Sequence, residues 1–160
     1  MAWIESVSVR WDHEDLGAWL RRPLPQPALE WVREDQDAFD IRFLEQVLAR
    51  AGEDVDVLAQ LGHLYTRAGR HRDGLAVDRR LVALKPRDPI AHYNLACSLA
   101  LVKQKARAFA ALKKALALGY RDVVHMRKDP DLENLRGDPR WDGLVSALAA
   151  RARRPARGRK

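Results

Sequence analysis

The sequence has too few cysteines for a disulfide framework or a thiolate metal site. It holds one cysteine among 160 residues, which excludes an internal disulfide and a four-thiolate zinc site. No apolar run reaches the about 18–20 residues that span a bilayer. The opening MAWIESVSVRWDHED has no basic stretch followed by an apolar one, which predicts no secretory signal. With 47% hydrophobic and 32% charged residues, we expect a globular, cytoplasmic chain without a membrane partner.

Catalytic signatures are also absent. The chain has no nucleophile elbow, phosphate loop, dinucleotide fingerprint or His-Glu-x-x-His helix. Cys97 follows His92 by five residues, a spacing that places them on different sides of a helix, and its neighbours supply no activating cation. His63 and His71 have no evident third metal ligand. We therefore expect no enzyme activity, no cofactor and no metal.

The positive charge is concentrated at one end of the chain. The formal net charge is +7, and the last ten residues, RARRPARGRK, hold six cations and no acid. Without them, residues 1–150 carry 23 basic and 22 acidic residues, so the body is nearly neutral. Segment 151–160 is predicted to be a disordered basic tail. Its candidate polyanion-binding residues are Arg151, Arg153, Arg154, Arg157, Arg159 and Lys160.

The chain contains an internal repeat with a period of 34 residues. Segments 55–88 and 89–122 share six identities in this register. The identical pairs are Leu61/Leu95, Ala76/Ala110, Ala83/Ala117, Leu84/Leu118, Arg87/Arg121 and Asp88/Asp122. Small residues also align with small residues, as Gly62 does with Ala96, which predicts close helix crossings at these positions.

Each repeat unit is predicted to form two helices. Asp54, Asp88 and Asp122 precede apolar-periodic runs at the same 34-residue step, so each suits a helix N-cap. In the first unit the pattern predicts helices at about 55–68 and 71–84, with Gly69 ending the first. Their predicted inward residues are Leu58, Leu61, Leu64, Tyr65, Leu75, Leu81 and Leu84.

These two repeat units resemble those of the tetratricopeptide repeat family. LAQLGHLY and the following RAGRHRDGLAVDRRLVALKP match the family pattern, and AHYNLACSLALVKQKARAFAALKKALAL matches most of a second unit. Two departures are Gly74 and Asp78, where the family usually has alanine and an aromatic residue. A third is the pair Gly119 and Tyr120 in place of the terminal proline. The resemblance implies an all-α fold, an α-α superhelix of antiparallel helix pairs with helical caps.

Segments on either side of the two full repeats are predicted to cap the array. Residues 37–54 align as a half repeat, and segment 123–150 has two Asp-Pro helix starts. The DPDL…LR.DPRW pattern in 123–150 is similar to the end of bacterial tetratricopeptide arrays. Residues predicted to close the last open face are Leu132, Leu135, Trp141, Leu144, Val145 and Leu148. The repeat domain is thus predicted to span 37–150.

Residues 1–36 are predicted to be a partly helical cap or linker. Prolines at 23–27 would break a full helix, which leaves a shortened first helix around Ala28 and Trp31. Trp3, Trp11 and Trp19 either cover the first helix pair or form an exposed docking surface.

The resemblance implies that a partner binds in a concave groove lined by the first helix of each pair. The predicted groove residues are Asp56, Gln60, His63, Arg67, Ile90, Tyr93, Asn94 and Cys97. Tyr93 is the predicted anchor, although it also suits packing between repeats, and Asn94 also suits a bond within its turn. A carboxylate clamp is not predicted, because Ala59 and His63 replace its lysine and asparagine.

Two partner classes follow from these patterns. The leading hypothesis is a protein-interaction module that holds a peptide or protein segment in the groove. The alternative is binding of nucleic acid or an anionic surface through the basic tail. The two hypotheses are separable, because truncation of 151–160 removes the tail and leaves the groove.

Overall fold

The computed structural model describes the backbone of residues 26–152 and the side chains of residues 36–150. The described residues form an all-α fold without strands. The helices are α1 (Gln26–Ala51), α2 (Val55–Arg67), α3 (His71–Leu84), α4 (Pro89–Leu101), α5 (Lys105–Leu118), α6 (Val123–Lys128), a 3₁₀ helix (Pro130–Leu135) and α7 (Arg140–Ala152).

The predicted N-caps are confirmed. The Asp54 carboxylate accepts hydrogen bonds from the backbone N–H groups of Asp56 and Val57, at 2.9 and 3.0 Å. Asp88 and Asp122 accept equivalent bonds at the starts of α4 and α6, each at 2.8 Å. These bonds satisfy backbone donors that have no partner inside the helix. They place the helix starts where the 34-residue step predicts them.

The prediction of a shortened first helix near Trp31 is wrong. One continuous helix, α1, runs from Gln26 to Ala51. Pro27 lies in its first turn, where a proline costs no hydrogen bond, and no proline or glycine follows until Gly52. Contacts between residues divide the chain into two compact units, with the boundary after Gln36, inside α1. The helix packing and the core belong to the second unit, which begins at Asp37.

Consecutive helices from α2 to α5 pack along one another and are joined by short turns. Helices joined so closely must run antiparallel, as in an αα-hairpin. Gly62 lies where α2 and α3 cross, and a Cβ at this position would lie 3.2 Å from the Asp78 carboxylate of α3, closer than an ordinary contact. Gly69, with φ of 71°, supplies the left-handed residue after α2 that its tight turn needs.

Two hydrophobic clusters form the core. The first joins α1, α2 and α3 around Ile41, Leu58 and Leu61, and the second joins α4 to α7 around Phe109 and Leu112. All six residues predicted to close the array are buried in the second cluster: Leu132, Leu135, Trp141, Leu144, Val145 and Leu148. Leu84 is the exception among the predicted inward residues of the first unit, because it is 39% exposed at the end of α3.

Several predictions lie outside the described residues. They concern Trp3, Trp11, Trp19 and the side chains of the basic tail, 151–160. Among the helices that the structure describes, none combines the length and apolar character that crossing a membrane requires.

Candidate functional site

Helix α2 borders two concave features, which we call the apolar groove and the acidic cavity. The apolar groove lies between α1 and α2 and encloses about 680 Å³. It is lined by Asp40, Phe43, Leu44, Ala59, Gln60, His63 and Leu64. The acidic cavity, of about 380 Å³, lies between α2, α4 and the segment that carries the 3₁₀ helix. It is lined by Ala59, Gly62, His63, Thr66, Arg67, Asp78, Tyr93, Asn94, Cys97, Ser98, His125, Asp129, Pro130 and Asp131.

Phe43 of α1 lines the apolar groove and belongs to an exposed aromatic pair. Phe39 and Phe43, one helical turn apart, are stacked with ring centroids 6.4 Å apart, and each is 56% exposed. Opposite Phe43, α2 presents Ala59, a short side chain that leaves space above the helix. The result is an exposed apolar surface on the described part of the chain, suited to an apolar side chain of a partner.

Asp129 connects the elements around the acidic cavity. Its Oδ2 accepts a hydrogen bond from the Tyr93 hydroxyl at 2.6 Å and a longer contact from the Cys97 thiol at 3.6 Å. The Nε2 of His125 lies 3.4 Å from the same oxygen. Its Oδ1 caps the 3₁₀ helix by accepting from the backbone N–H of Asp131 at 3.0 Å. A single buried carboxylate thus holds α4, α6 and the 3₁₀ helix together.

Asp78 reaches the cavity from α3 through the gap that Gly62 leaves in α2. Its Oδ2 accepts a hydrogen bond from the Ser98 hydroxyl at 2.6 Å. Its Oδ1 lies 3.2 Å from where a Cβ on Gly62 would be, and it accepts no hydrogen bond from a described residue. Only 4% of Asp78 is exposed, and this burial raises the pKa of its carboxyl to about 6.

Asp131 adds a third carboxylate to the cavity. It is half-buried, and its side chain accepts no hydrogen bond from the described residues. Burial and the neighbouring Asp129 raise the pKa of the Asp131 carboxyl, although nearby histidines act in the opposite direction. Arg67, the only arginine in the lining, is bound by Asp37 of α1, with Nε 2.6 Å from Oδ2. The Asp37 carboxylate therefore compensates most of the positive charge that Arg67 would bring to the cavity.

The predicted groove residues divide into four groups. Gln60 lines the apolar groove, His63 lines both features, and Arg67, Tyr93, Asn94 and Cys97 line the acidic cavity. Asp56 and Ile90 line neither of the two, because each lies in the first turn of its helix.

The structure decides between the two interpretations of Tyr93 and corrects the outward position predicted for Cys97. Tyr93 is 4% exposed and Cys97 is 7% exposed. The segment from Asp129 to Leu135 packs over this side of α4, and the Asn134 side chain donates a hydrogen bond to the Ala100 carbonyl. Tyr93 also stacks on Tyr120, with centroids 4.3 Å apart and rings nearly parallel. Tyr93 therefore packs between repeats, and its hydroxyl side forms the cavity wall.

The surroundings of Cys97 oppose ionisation of its thiol. Burial, followed by the charges of Asp129 and Asp131, raises the pKa of the Cys97 thiol far above its usual range. Ligand atoms of these three residues lie within 4.8 Å of one another, close enough to share a metal ion. The Asp129 oxygen that faces Cys97 is already bonded to Tyr93, so the arrangement also serves as a hydrogen-bonded support.

The lining residues that were not among the predicted groove residues include Phe43, Asp78, Asp129 and Asp131. The sequence contains one indication of Asp78, because this acid stands where the resemblance implies an aromatic side chain. Asp129 was predicted only as a helix cap. No local pattern placed Phe43 or Asp131, because each approaches the site from a neighbouring element.

Comparison with known proteins gives a similarity over about half of the chain. No family model and no solved structure matches the chain. Among curated proteins, the chain is similar to a chloroplastic protein of Arabidopsis thaliana, with 32% identity over 87 residues. The similar segment covers 52% of this chain and 26% of that protein. The chain thus spans about a quarter of the length of the curated relative it matches.

Proposed function

We propose that this chain is a protein-interaction module, a tetratricopeptide-like array that binds an extended peptide segment across α2. The 34-residue spacing of the N-cap aspartates and the antiparallel helix pairs support a repeat array. The proposed array has its first full unit at α2 and α3 and its second at α4 and α5.

The observation that carries this proposal is the apolar groove beside Phe43. The Phe39 and Phe43 rings leave apolar area in contact with water, which is unfavourable by about 25 cal/mol per Å². A partner that covers these rings regains that free energy. Because the groove is open along α2, an extended segment fits it better than a small enclosed ligand does.

The polar lining of α2 suits a peptide backbone. Gln60 and His63 stand beside the apolar surface and offer donors and acceptors that do not depend on the partner's side chains. Asn94, half-buried, continues this polar strip in the acidic cavity. The two features together provide apolar contact for affinity and polar contact for orientation.

Selection from a phage library of random peptides of about twelve residues tests the proposal on the full chain. Selected peptides should bind in solution, and Phe43→Ser should weaken them at least about tenfold, because the ring supplies buried apolar area. Val124→Ser is the matched control, since Val124 is 65% exposed on α6 and lies outside both features. Failure to enrich any peptide, or equal loss in both variants, would contradict the proposal.

Polyanion binding by the basic tail stays an alternative prediction from the sequence. Truncation after Ala152 removes five of its six cations, Arg153, Arg154, Arg157, Arg159 and Lys160, and leaves both features intact. If the truncated chain still bound duplex DNA at physiological salt, the tail would not be the responsible segment.

A further inference from the structure

We propose that the acidic cavity binds a lysine or arginine side chain of the partner peptide, an assignment that rests on the proposed peptide-binding function. The partner is then a segment with one apolar side chain against Phe43 and one cationic side chain in the cavity.

The first support is the open acceptor on Asp78. Its carboxylate is buried, yet only Oδ2 is hydrogen-bonded, and Oδ1 faces the cavity opposite Gly62. Asp78 is 4% exposed and lines the cavity, so its second oxygen is reached from the cavity and is open to a donor there. An ammonium or guanidinium group supplies both the missing hydrogen bond and the opposite charge.

The second support is the balance of charge in the cavity. Asp78 of α3 meets Asp129 and Asp131 at the start of the 3₁₀ helix, and repulsion between these carboxylates contributes to the raised pKa values of Asp78 and Asp131. His63 from α2 and His125 from α6 line the cavity beside them, and these two histidines and His71 act to lower the pKa of the Asp131 carboxyl. Among the described lining residues, Arg67 is the only permanently charged cation.

Arg67 does not supply the positive charge that would balance these three carboxylates. It is the arginine of the lining, and Asp37 binds its guanidinium from α1. Arg136 approaches Asp129 from the other side, but its Nη2 donates to the backbone carbonyl oxygen at 2.8 Å. The cation that completes the cavity therefore has to come from outside the described residues.

The third support is the continuity of the two features. Ala59 and His63 line both the apolar groove and the acidic cavity, so one peptide crossing α2 reaches both. At about 380 Å³, the cavity accommodates the end of a long basic side chain. The basic tail of this chain has the cations, but RARRPARGRK contains no large apolar residue to occupy the groove. This argues against the basic tail as the occupant, and the proposal assigns both features to a segment of another protein.

The test uses the peptides selected on the full chain and measures their binding by fluorescence anisotropy. The lysine or arginine of each peptide is replaced by norleucine, which keeps an apolar stem without the charge. We expect this replacement to weaken binding to the original chain about tenfold, and to the Asp131→Asn and Asp78→Asn variants less than about twofold. Glu133→Gln is the matched control, because Glu133 is an exposed acid on the same 3₁₀ helix, outside the cavity.

The outcomes separate this inference from the proposed function. Peptides that bind through Phe43 but contain no lysine or arginine would overturn the cavity assignment and leave the peptide-binding function standing. A tenfold loss that persists in Asp131→Asn and Asp78→Asn would also overturn it, since the charge would then act elsewhere. If truncation after Ala152 strengthened peptide binding about tenfold, the basic tail would be the occupant and the assignment to a partner would be wrong.

Discussion

The hydroxyl of Tyr93 donates a 2.6 Å hydrogen bond to Oδ2 of Asp129, which lies 36 residues further along the chain. This bond joins the second repeat unit to the segment that follows it. Tyr93, which the sequence pattern also allows as an exposed groove residue, is thereby fixed in the wall of the acidic cavity. The arrangement around these two residues decides what the acidic cavity can bind.

Removal of this hydroxyl tests its contribution to stability. Tyr93→Phe should lower the free energy of unfolding by about 1–3 kcal/mol, because a buried carboxylate oxygen loses its strongest donor. The measurement is urea denaturation of the full chain. Tyr65→Phe is the comparison, since the Tyr65 hydroxyl donates to the more exposed Glu45 at 2.6 Å. A smaller loss for Tyr93→Phe than for Tyr65→Phe would contradict the supporting role of Asp129.

The buried carboxyl of Asp78 should make stability depend on pH. Its pKa is raised from 3.8 to about 6, so the folded chain holds the proton more tightly than the unfolded chain does. Stability from this group is therefore complete below about pH 4 and lost as the pH rises through 6. At pH 7 the loss is on the order of 3 kcal/mol.

Asp78→Asn removes this ionisation and should keep the hydrogen bond from Ser98. We expect the variant to gain stability relative to the original chain as the pH increases from 4 to 7, as measured by urea denaturation at each pH. Ser98→Ala should move the transition to higher pH, because the Ser98 bond holds the pKa of Asp78 down. A constant difference between Asp78→Asn and the original chain across this range would refute the prediction.

The Cys97 thiol should be unreactive in the folded chain. Its burial and its two carboxylate neighbours raise its pKa, so little thiolate is available at pH 8. The reaction with Ellman's reagent should be at least about a hundredfold slower in buffer than in 6 M urea. Equal rates would show that the cavity is open enough to admit the reagent and would contradict the observed burial.

The close approach of α3 to Gly62 in α2 predicts different results for alanine substitution at two helical glycines. Gly143→Ala in α7 should stabilise the chain by about 0.5–1 kcal/mol, because alanine favours helices and its Cβ meets no atom within 4 Å. Gly62→Ala should lose that gain, since its Cβ would lie 3.2 Å from Asp78 Oδ1. Thermal unfolding of both variants measures the contrast, and equal stabilisation would argue against a close approach at Gly62.

Much of the helix arrangement could be predicted from local patterns. The three aspartate N-caps and the end of α2 at Gly69 depend on neighbours in sequence, and the apolar pattern of α7 predicted that Trp141 and Leu148 are buried. The continuous α1 was missed because the prolines before it suggested a break, although a proline in the first turn is compatible with a helix.

The candidate site was only partly predictable. Periodicity identified Gln60 and His63 on an accessible side of α2, because the helical period relates each residue to its own helix axis. The same period left Tyr93 open between the groove and packing between repeats, because periodicity carries no information on the 3₁₀ helix that covers α4.

The amino-acid sequence by itself determined the helices, their caps and the 34-residue spacing, because these follow from backbone hydrogen bonding and the placing of apolar residues along each helix. The tertiary structure alone decided that Asp78, Asp129 and Asp131 meet in one cavity. They come from elements up to about 50 positions apart, and only the packing of those elements brings their carboxylates together. It also buried Tyr93 and left Phe43 exposed, because burial depends on which element covers a face and not on the residue that occupies it.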